Sequence, residues 1–382
     1  MLWMYAGFVA LVLGLLALDL GVFHRKAHVV SVREALGWSA FWIALGLAFA
    51  GFIYAGYENH WLGLGLTPDR MTLSPETVEG VGTVYNDGAS ATVKYVTGYL
   101  VEKSLAVDNI FVIAMIFGFF AVPPLYQHRV LFWGILGALL MRGAMIAVGA
   151  QLIQRFSWII YVFGAFLILT GVKMLLLKAD ETDPNRNVVV RLTRRLFPIT
   201  ERFHGQHFFV RAGSAASHEA ATPGAAAEVD RVVDAARPGV LLATPLFLAL
   251  VMVEFTDLIF AVDSIPAIFA ITADPFLVFT SNVFAILGLR SLYFALAGMI
   301  DQFRYLKAAL AVVLMVVGVK MMTHAWLKSL LGAHFNLYLL GVVLLILAAG
   351  VAASLLAARR GPSAASGGGG TSAPPPDPLR AA

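Results

Sequence analysis

The sequence predicts an all-α, polytopic membrane protein with about nine transmembrane helices and an inverted repeat of three helices plus three. The chain has 382 residues, of which 59% are hydrophobic and only 13% charged, against roughly 25% charged in a soluble domain. Its mean hydropathy is +0.81, and the apolar residues fall in runs long enough to cross a bilayer, which takes about 20 residues each. Two of those runs carry an aspartate in the same frame, AVDNI at 106–110 and AVDSI at 261–265. There is no cysteine, so disulfides and thiolate metal sites are excluded. The pI near 9.3 need not signal nucleic acid, because excess Lys and Arg in a membrane protein orient the chain.

The nine spans are expected at about 2–22, 36–56, 93–120, 128–150, 157–178, 240–271, 275–299, 304–326 and 335–358. The first starts without a basic n-region or a small-residue cleavage site, so it reads as a retained helix. Basic residues fix the orientation. Arg25, Lys26 and Arg33 follow the first span, and the loop 179–238 carries Arg186, Arg191, Arg194, Arg195, Arg202 and Arg211. Arg304 and Lys307 separate spans seven and eight, and Arg359 and Arg360 close span nine. The loop 57–92 is mostly acidic. Alternation with the basic loops inside puts the N-terminus outside and the C-terminus in the cytoplasm. Residues 212–229 read as an unstructured small-residue linker, and the Gly/Pro/Ser-rich tail 359–382 reads as disordered.

The two aspartate frames belong to a longer match. Glu102 precedes Asp108 by six residues, and Asp257 precedes Asp263 by six. MRGAMIAVGA (141–150) parallels LRSLYFALAG (289–298), aligning Arg142 with Arg290. TGVKMLL (170–176) parallels VGVKMMT (317–323), aligning Lys173 with Lys320. Residues 93–178 and 239–327 are therefore two units of three helices, following two N-terminal spans (1–56) and the extracytoplasmic loop 57–92. Odd helix counts orient the units oppositely, an architecture that sets a transporter's substrate site at the midplane between repeats.

Six acids lie within spans: Asp19, Glu102, Asp108, Glu254, Asp257 and Asp263. Each costs about 2.5–3.5 kcal/mol at the bilayer centre, on the order of 15–20 kcal/mol at most for all six. They persist only in a wet cavity, beside cations, or both. Arg142 and Arg290 are the midplane cations, whereas Lys173 and Lys320 can snorkel. Acids outnumber these partners, which favours a missing cation. Residues six apart on a helix differ by about 120° in azimuth, so Glu102 and Asp108 do not share a face, while Glu254 and Asp257 do. Pro266, Asn109 and Ser264 suggest that the helices break beside the aspartates and free carbonyls as ligands. With oxygen donors, no cysteine and no mid-span histidine, such a site suits Mn²⁺, Mg²⁺ or Ca²⁺. His24 and His28, spaced i, i+4, read as a solvated helix face, and His204 and His207 suggest no metal site either.

GYLVEKSLAVDNIFV (98–112), TPLFLALVMVEFTDLIFAVDSIPAIFAIT (244–272) and TSNVFAILGLRSLYF (280–294) resemble the TerC/Alx family of bacterial inner-membrane proteins. DLGVFHRKAHVVSVREAL (19–36) and RLFPITERFHGQHFFVR (195–211) fit the same resemblance, which covers nearly all of residues 1–358. The resemblance implies a three-plus-three exporter, an association with tellurite resistance, and Mn²⁺ export that needs intramembrane acids. By resemblance those acids are the same six.

The expectation is thus a secondary exporter of a divalent cation, Mn²⁺ foremost. Asp108 and Asp263 would hold the metal, Glu102, Asp257 and Glu254 would complete the shell or relay protons, and Asp19 would guide access. Asn109, Ser264, Arg142 and Arg290 would support them. Export against 100 mV costs a divalent ion about 4.6 kcal/mol, and without a nucleotide-binding loop the coupling ion is expected to be H⁺. No enzyme activity, no permanently bound cofactor and no nucleic-acid partner are expected. Three alternatives remain: a membrane assembly component whose charges form an ion-pair scaffold, an intramembrane aspartyl protease, whose GxGD motif is absent, and export of an organic cation or amino acid.

Overall fold

The computed structural model describes residues 2–19, 31–72, 75–156, 158–176, 188–218, 230–296, 305–323 and 335–360. Every predicted span contains helix. The membrane part consists of α1 (Leu2–Leu18), α2 (Val32–Glu58), α3 (Gly88–Phe119), α4 (Pro124–Arg155) and α5 (Ile159–Leu176), with α8 (Pro245–Phe269), α9 (Pro275–Ile286), α10 (Leu289–Leu296), α11 (Leu306–Met322) and α12 (Phe335–Arg360). A hairpin of β1 (Glu76–Val78) and β2 (Gly82–Val84) precedes α3. A small polar layer between α5 and α8 holds α6 (Val188–Leu196), β3 (Phe209–Arg211), α7 (Arg231–Ala235) and β4 (Leu241–Ala243). Among the described residues, α2, α4, α5, α8 and α12 are long and apolar enough to cross a membrane, and α9 with α10 forms a sixth, bent candidate. Large side chains such as Leu140, Leu169 and Leu345 point outward, as a lipid-facing exterior requires.

Local chemistry sets the helix starts. Ser31 accepts from Glu34 N at 3.3 Å and Asp87 accepts from Ser90 N at 2.7 Å, satisfying N–H groups that lack an intrahelical partner. Proline at the first turn opens α4, α8 and α9, where its missing N–H costs nothing. α3 has 32 residues, a length of about 48 Å, so it outreaches the hydrocarbon and brings its first turns to the loop 57–87.

The packing pairs helices across the repeat. α3 packs on α9, α4 on α8, and α5 on α11, with α3 and α8 meeting each other. Exchanging α3 with α8, α4 with α9 and α5 with α11 leaves this set of contacts unchanged. α5 and α11 approach through small residues, as membrane helices do where packing rather than hydrophobicity drives association. A Cβ on Gly171 would lie 2.7 Å from the Ala311 carbonyl oxygen, and one on Gly318 would lie 2.8 Å from that of Gly164. α1 and α2 pack through Phe8, Val12, Leu16, Trp42 and Ile53 into one core with α3 and α9. α12 covers α11 and α3.

Several expectations need correction. α3 and α8 run unbroken through Asn109 and Ser264, with Pro266 inside α8. The break lies instead in span seven, where α9 and α10 meet at 40°. Gly288 makes it, because its φ is +79° and a Cβ there would sit 2.5 Å from Trp42 Cβ; both conditions demand glycine. Lys103 donates to the freed carbonyls of Ala285 and Leu287 at 3.0 and 3.1 Å. The expected linker is ordered at its start: Ala212 N donates to Val240 O at 2.9 Å, and Ala215–His218 form a 3₁₀ turn. Residues 219–229, His24, His28 and the tail beyond 360 lie outside the described residues.

Candidate functional site

Arg142, on α4, is 3% exposed and meets four other side chains. Its Nε donates to Asp257 Oδ2 at 3.1 Å and its Nη2 to Asp257 Oδ1 at 2.8 Å, the bidentate geometry a guanidinium favours. Its Nη1 donates to Glu102 Oε1, to Ser264 Oγ at 3.4 Å and to Asn282 Oδ1 at 3.3 Å. Asn109 Nδ2 donates to Asp257 Oδ1 at 3.4 Å. Residues from α3, α4, α8 and α9 thus converge on one cation. The repeat makes Glu102 and Asp257 equivalent positions, and a single arginine binds both. Its counterpart Arg290, placed just past the Gly288 break, donates instead to Asp19 Oδ1 at 2.8 Å. Arg290 thus follows a bend in its span, whereas Arg142 lies within an unbroken helix.

Asp108, Asp263 and Glu254 are not drawn into that network. Among the described residues no cation forms an ion pair with any of them. Asp108 and Asp263 lie within electrostatic reach of each other, with Lys307 bearing on the first and Lys173 on the second. Asp263 Oδ1 accepts from Thr170 Oγ1 at 3.2 Å. Glu254 packs on the α4 backbone at Gly137, where a Cβ would collide with its carboxylate. Its other oxygen, Oε2, is buried without a hydrogen-bond partner. Among the described residues no group of three or more His, Asp or Glu is arranged to hold a metal ion. The six predicted acids therefore divide into three paired with an arginine (Asp19 with Arg290, Glu102 and Asp257 sharing Arg142) and three without an ion pair among the described residues.

A second buried polar cluster escaped the sequence reading. Asp69 and Lys94 are fully enclosed and paired at 2.9 Å. Asp69 also accepts from Thr272 Oγ1 at 2.6 Å, Ala273 N at 2.8 Å and Met71 N at 2.9 Å. Asn86 donates to Asp69 and, at 3.4 Å, to Asp274, which also accepts from Tyr57 OH at 3.0 Å. These bonds clasp the loop 57–87 and the start of α3 to the turn between α8 and α9. Burial would raise the Asp69 carboxyl, but Lys94, Thr272 and the Ala273 N–H hold it down to about 2. Burial and the Asp69 charge push Asp274 up to about 6. The Asp-Pro step at 274–275 is a helix-start signal; nothing in the loop marked Asp69 as enclosed. Lys320, expected to snorkel, is buried and donates to Ala270 O at 2.6 Å in the same turn. His204 pairs with Asp230 at 3.3 Å, a structural contact of the polar layer.

Residues 87–361 match the family described as integral membrane protein TerC family. The chain belongs to the TerC family. Among its relatives, the "Uncharacterized membrane protein STKORF319" of Myxococcus xanthus is 48% identical over 83% of this chain and 82% of its own. The "Putative membrane-bound redox modulator Alx" of Salmonella typhi is 42% identical over 89% and 93%. The protein of that name in Escherichia coli (strain K12) is 42% identical over 84% and 85%. No solved structure matches the chain. This TerC-family chain is accordingly an integral, multi-pass membrane protein, and its bacterial relatives share nearly its full length.

Proposed function

We propose that the chain is a secondary transporter that exports a divalent metal cation, Mn²⁺ foremost, from the cytoplasm of a bacterial inner membrane in exchange for protons. The observation that carries this reading is the Asp108–Asp263 pair. Two carboxylates at equivalent positions of the two repeats lie within each other's field and lack an ion-pair partner among the described residues. Like charges within one field are stabilised by a shared cation or by protons, and, among the described residues, neither Lys307 nor Lys173, which bear on them, forms an ion pair with either. Exchange of one for the other is the chemistry of metal/H⁺ antiport.

The contacts of α5 and α11 support an inverted repeat. Gly171 meets Ala311 and Gly318 meets Gly164, and both pairs map onto each other under the 147-residue offset of the repeat. As one partner's number rises, the other's falls, so the two helices are antiparallel. A twofold axis relating antiparallel helices lies in the membrane plane, which is the inverted arrangement. Asp108 and Asp263 would hold the metal near that axis, with Thr170 and water as further oxygen ligands. Glu102 or Asp257 would join after release from Arg142, Glu254 would carry protons, and Asp19 would line the cytoplasmic access. A tellurite-linked role would follow from metal homeostasis. The redox role in the relatives' name has no thiol to act through here, because the chain has no cysteine.

The Arg142 network favours a second reading, in which the buried charges are a scaffold for assembly. Asp108→Asn and Asp263→Asn separate the two. In a strain lacking its own exporter, the transporter reading expects both variants to accumulate normally in the membrane and to lose Mn²⁺ efflux. Lowered abundance with efflux per molecule unchanged would favour the scaffold.

A further inference from the structure

α6 is a short helix with no carboxylate and three arginines. It packs against α8 through a narrow face: Val190 and Thr193 are buried, and Val190 joins the apolar cluster of Ile116 and Phe117 on α3 and Leu246 and Leu248 on α8. Val189 is partly buried against the same cluster, and residues 191, 192 and 194–196 are exposed. Leu192 and Leu196, one turn apart, are 54% and 65% exposed, and Arg191, Arg194 and Arg195 are exposed beside them.

The position of α6 matters as much as its composition. A cavity of about 400 Å³ beside it is lined by Phe120, which caps the end of α3, by Pro245, the first residue of α8, and by Arg194 with Glu201 from the loop that follows α6. α6 therefore lies at the level where two spans end, which is the boundary between hydrocarbon and headgroups. An exposed pair of leucines there would be costly in water and favourable in the acyl layer, while the flanking guanidiniums reach the phosphates. The same end of the molecule carries Arg129, stacked 5.1 Å over Phe208.

We propose that α6 is an interfacial anchor whose arginines bind the headgroups of anionic phospholipids while Leu192 and Leu196 enter the acyl region. Charge complementarity selects the occupant: three arginines without a carboxylate on the helix match an anionic leaflet and not a neutral one.

The chain's lack of cysteine makes the test direct. Full-length protein carrying Leu196→Cys, or Leu192→Cys in a second preparation, is labelled with an environment-sensitive fluorophore. It is then reconstituted into phosphatidylcholine vesicles with or without about 30% phosphatidylglycerol, a strongly anionic leaflet. The expected result is a blue-shifted emission, quenched by shallow spin-labelled lipid, in the anionic vesicles only. Replacing Arg191, Arg194 and Arg195 by Gln should lower the ratio of docked to undocked helix about fivefold per arginine at low salt, and replacing them by Lys should largely preserve it. Melting temperatures of the Leu192, Leu196, Arg191 and Arg195 variants should match the parent, since these side chains are exposed. Equal emission in both vesicle types, water-like emission in both, or full docking of the Gln variant would each overturn the proposal.

Discussion

Arg142 bridges two carboxylates that the repeat makes equivalent, and its removal tests how much of the fold hangs on that bridge. Arg142→Gln would strand Glu102 and Asp257 in an apolar interior. Breaking a buried pair by removing one partner costs about 3–5 kcal/mol, which for a chain of this size lowers the melting temperature by about 4–6 °C. Arg142→Lys should recover only part of this, because an ammonium cannot reproduce the fork on Asp257 or reach Glu102 at the same time. Thermal melts in detergent check both, and an unchanged melt for the Gln variant would show that the network is not an ion pair in the folded protein. Asp108→Asn removes no ion pair and should leave the melt near the parent's. The contrast between these two positions separates a residue that holds the helices together from one available to a cargo.

At the scale of elements, the turn between α8 and α9 is fastened by two carboxylates with opposite tendencies. Asp274 sits at about 6 in the folded chain against 3.8 unfolded, so the folded state binds its proton more tightly. The stability this confers is complete below about pH 4 and is lost as pH climbs through 6. Asp69, at about 2, works the other way: its contribution is present above about pH 4 and is lost as pH falls towards 2. Between pH 4.5 and 7 only Asp274 of the pair titrates, so the melting temperature should fall across that range, with up to about 3 kcal/mol at stake. Asp274→Asn should flatten this slope, and a slope that survives the substitution would assign it elsewhere. Sequence patterning made the elements themselves legible, because runs of about 20 apolar residues with caps and prolines leave little choice but helix. It misplaced the break. Pro266 lies near the end of α8, where few intrahelical bonds remain to lose. Gly288, in an LGL context, adopts a left-handed conformation and lies against Trp42, a contact 246 residues away in sequence that no local pattern records.

For the whole molecule, the internal match of frames such as AVDNI and AVDSI made the pairing of helices legible, and the packing of α3 on α9 and α4 on α8 is what two exchangeable units would give. The partition of the six acids was not legible. It depends on which way each arginine turns, and that is decided only in three dimensions. The enclosed Asp69–Lys94 clasp was hidden for a related reason: an acidic loop reads as solvated until the long α3 is seen to extend beyond the bilayer and carry Lys94 into it. The proposed opposed orientation of the repeats has a direct consequence. It requires α3, α4 and α5 each to cross the membrane, which puts the β1–β2 hairpin and α7 on opposite sides. Single cysteines at Glu79 and Ala235, both exposed, can be placed in a chain that has none. In intact spheroplasts, a membrane-impermeant maleimide should label Glu79→Cys and spare Ala235→Cys until the membrane is permeabilised. Labelling of both from outside would give an even number of crossings between them. The two repeats would then run in the same direction, and Asp108 and Asp263 could not face each other across an axis in the membrane plane.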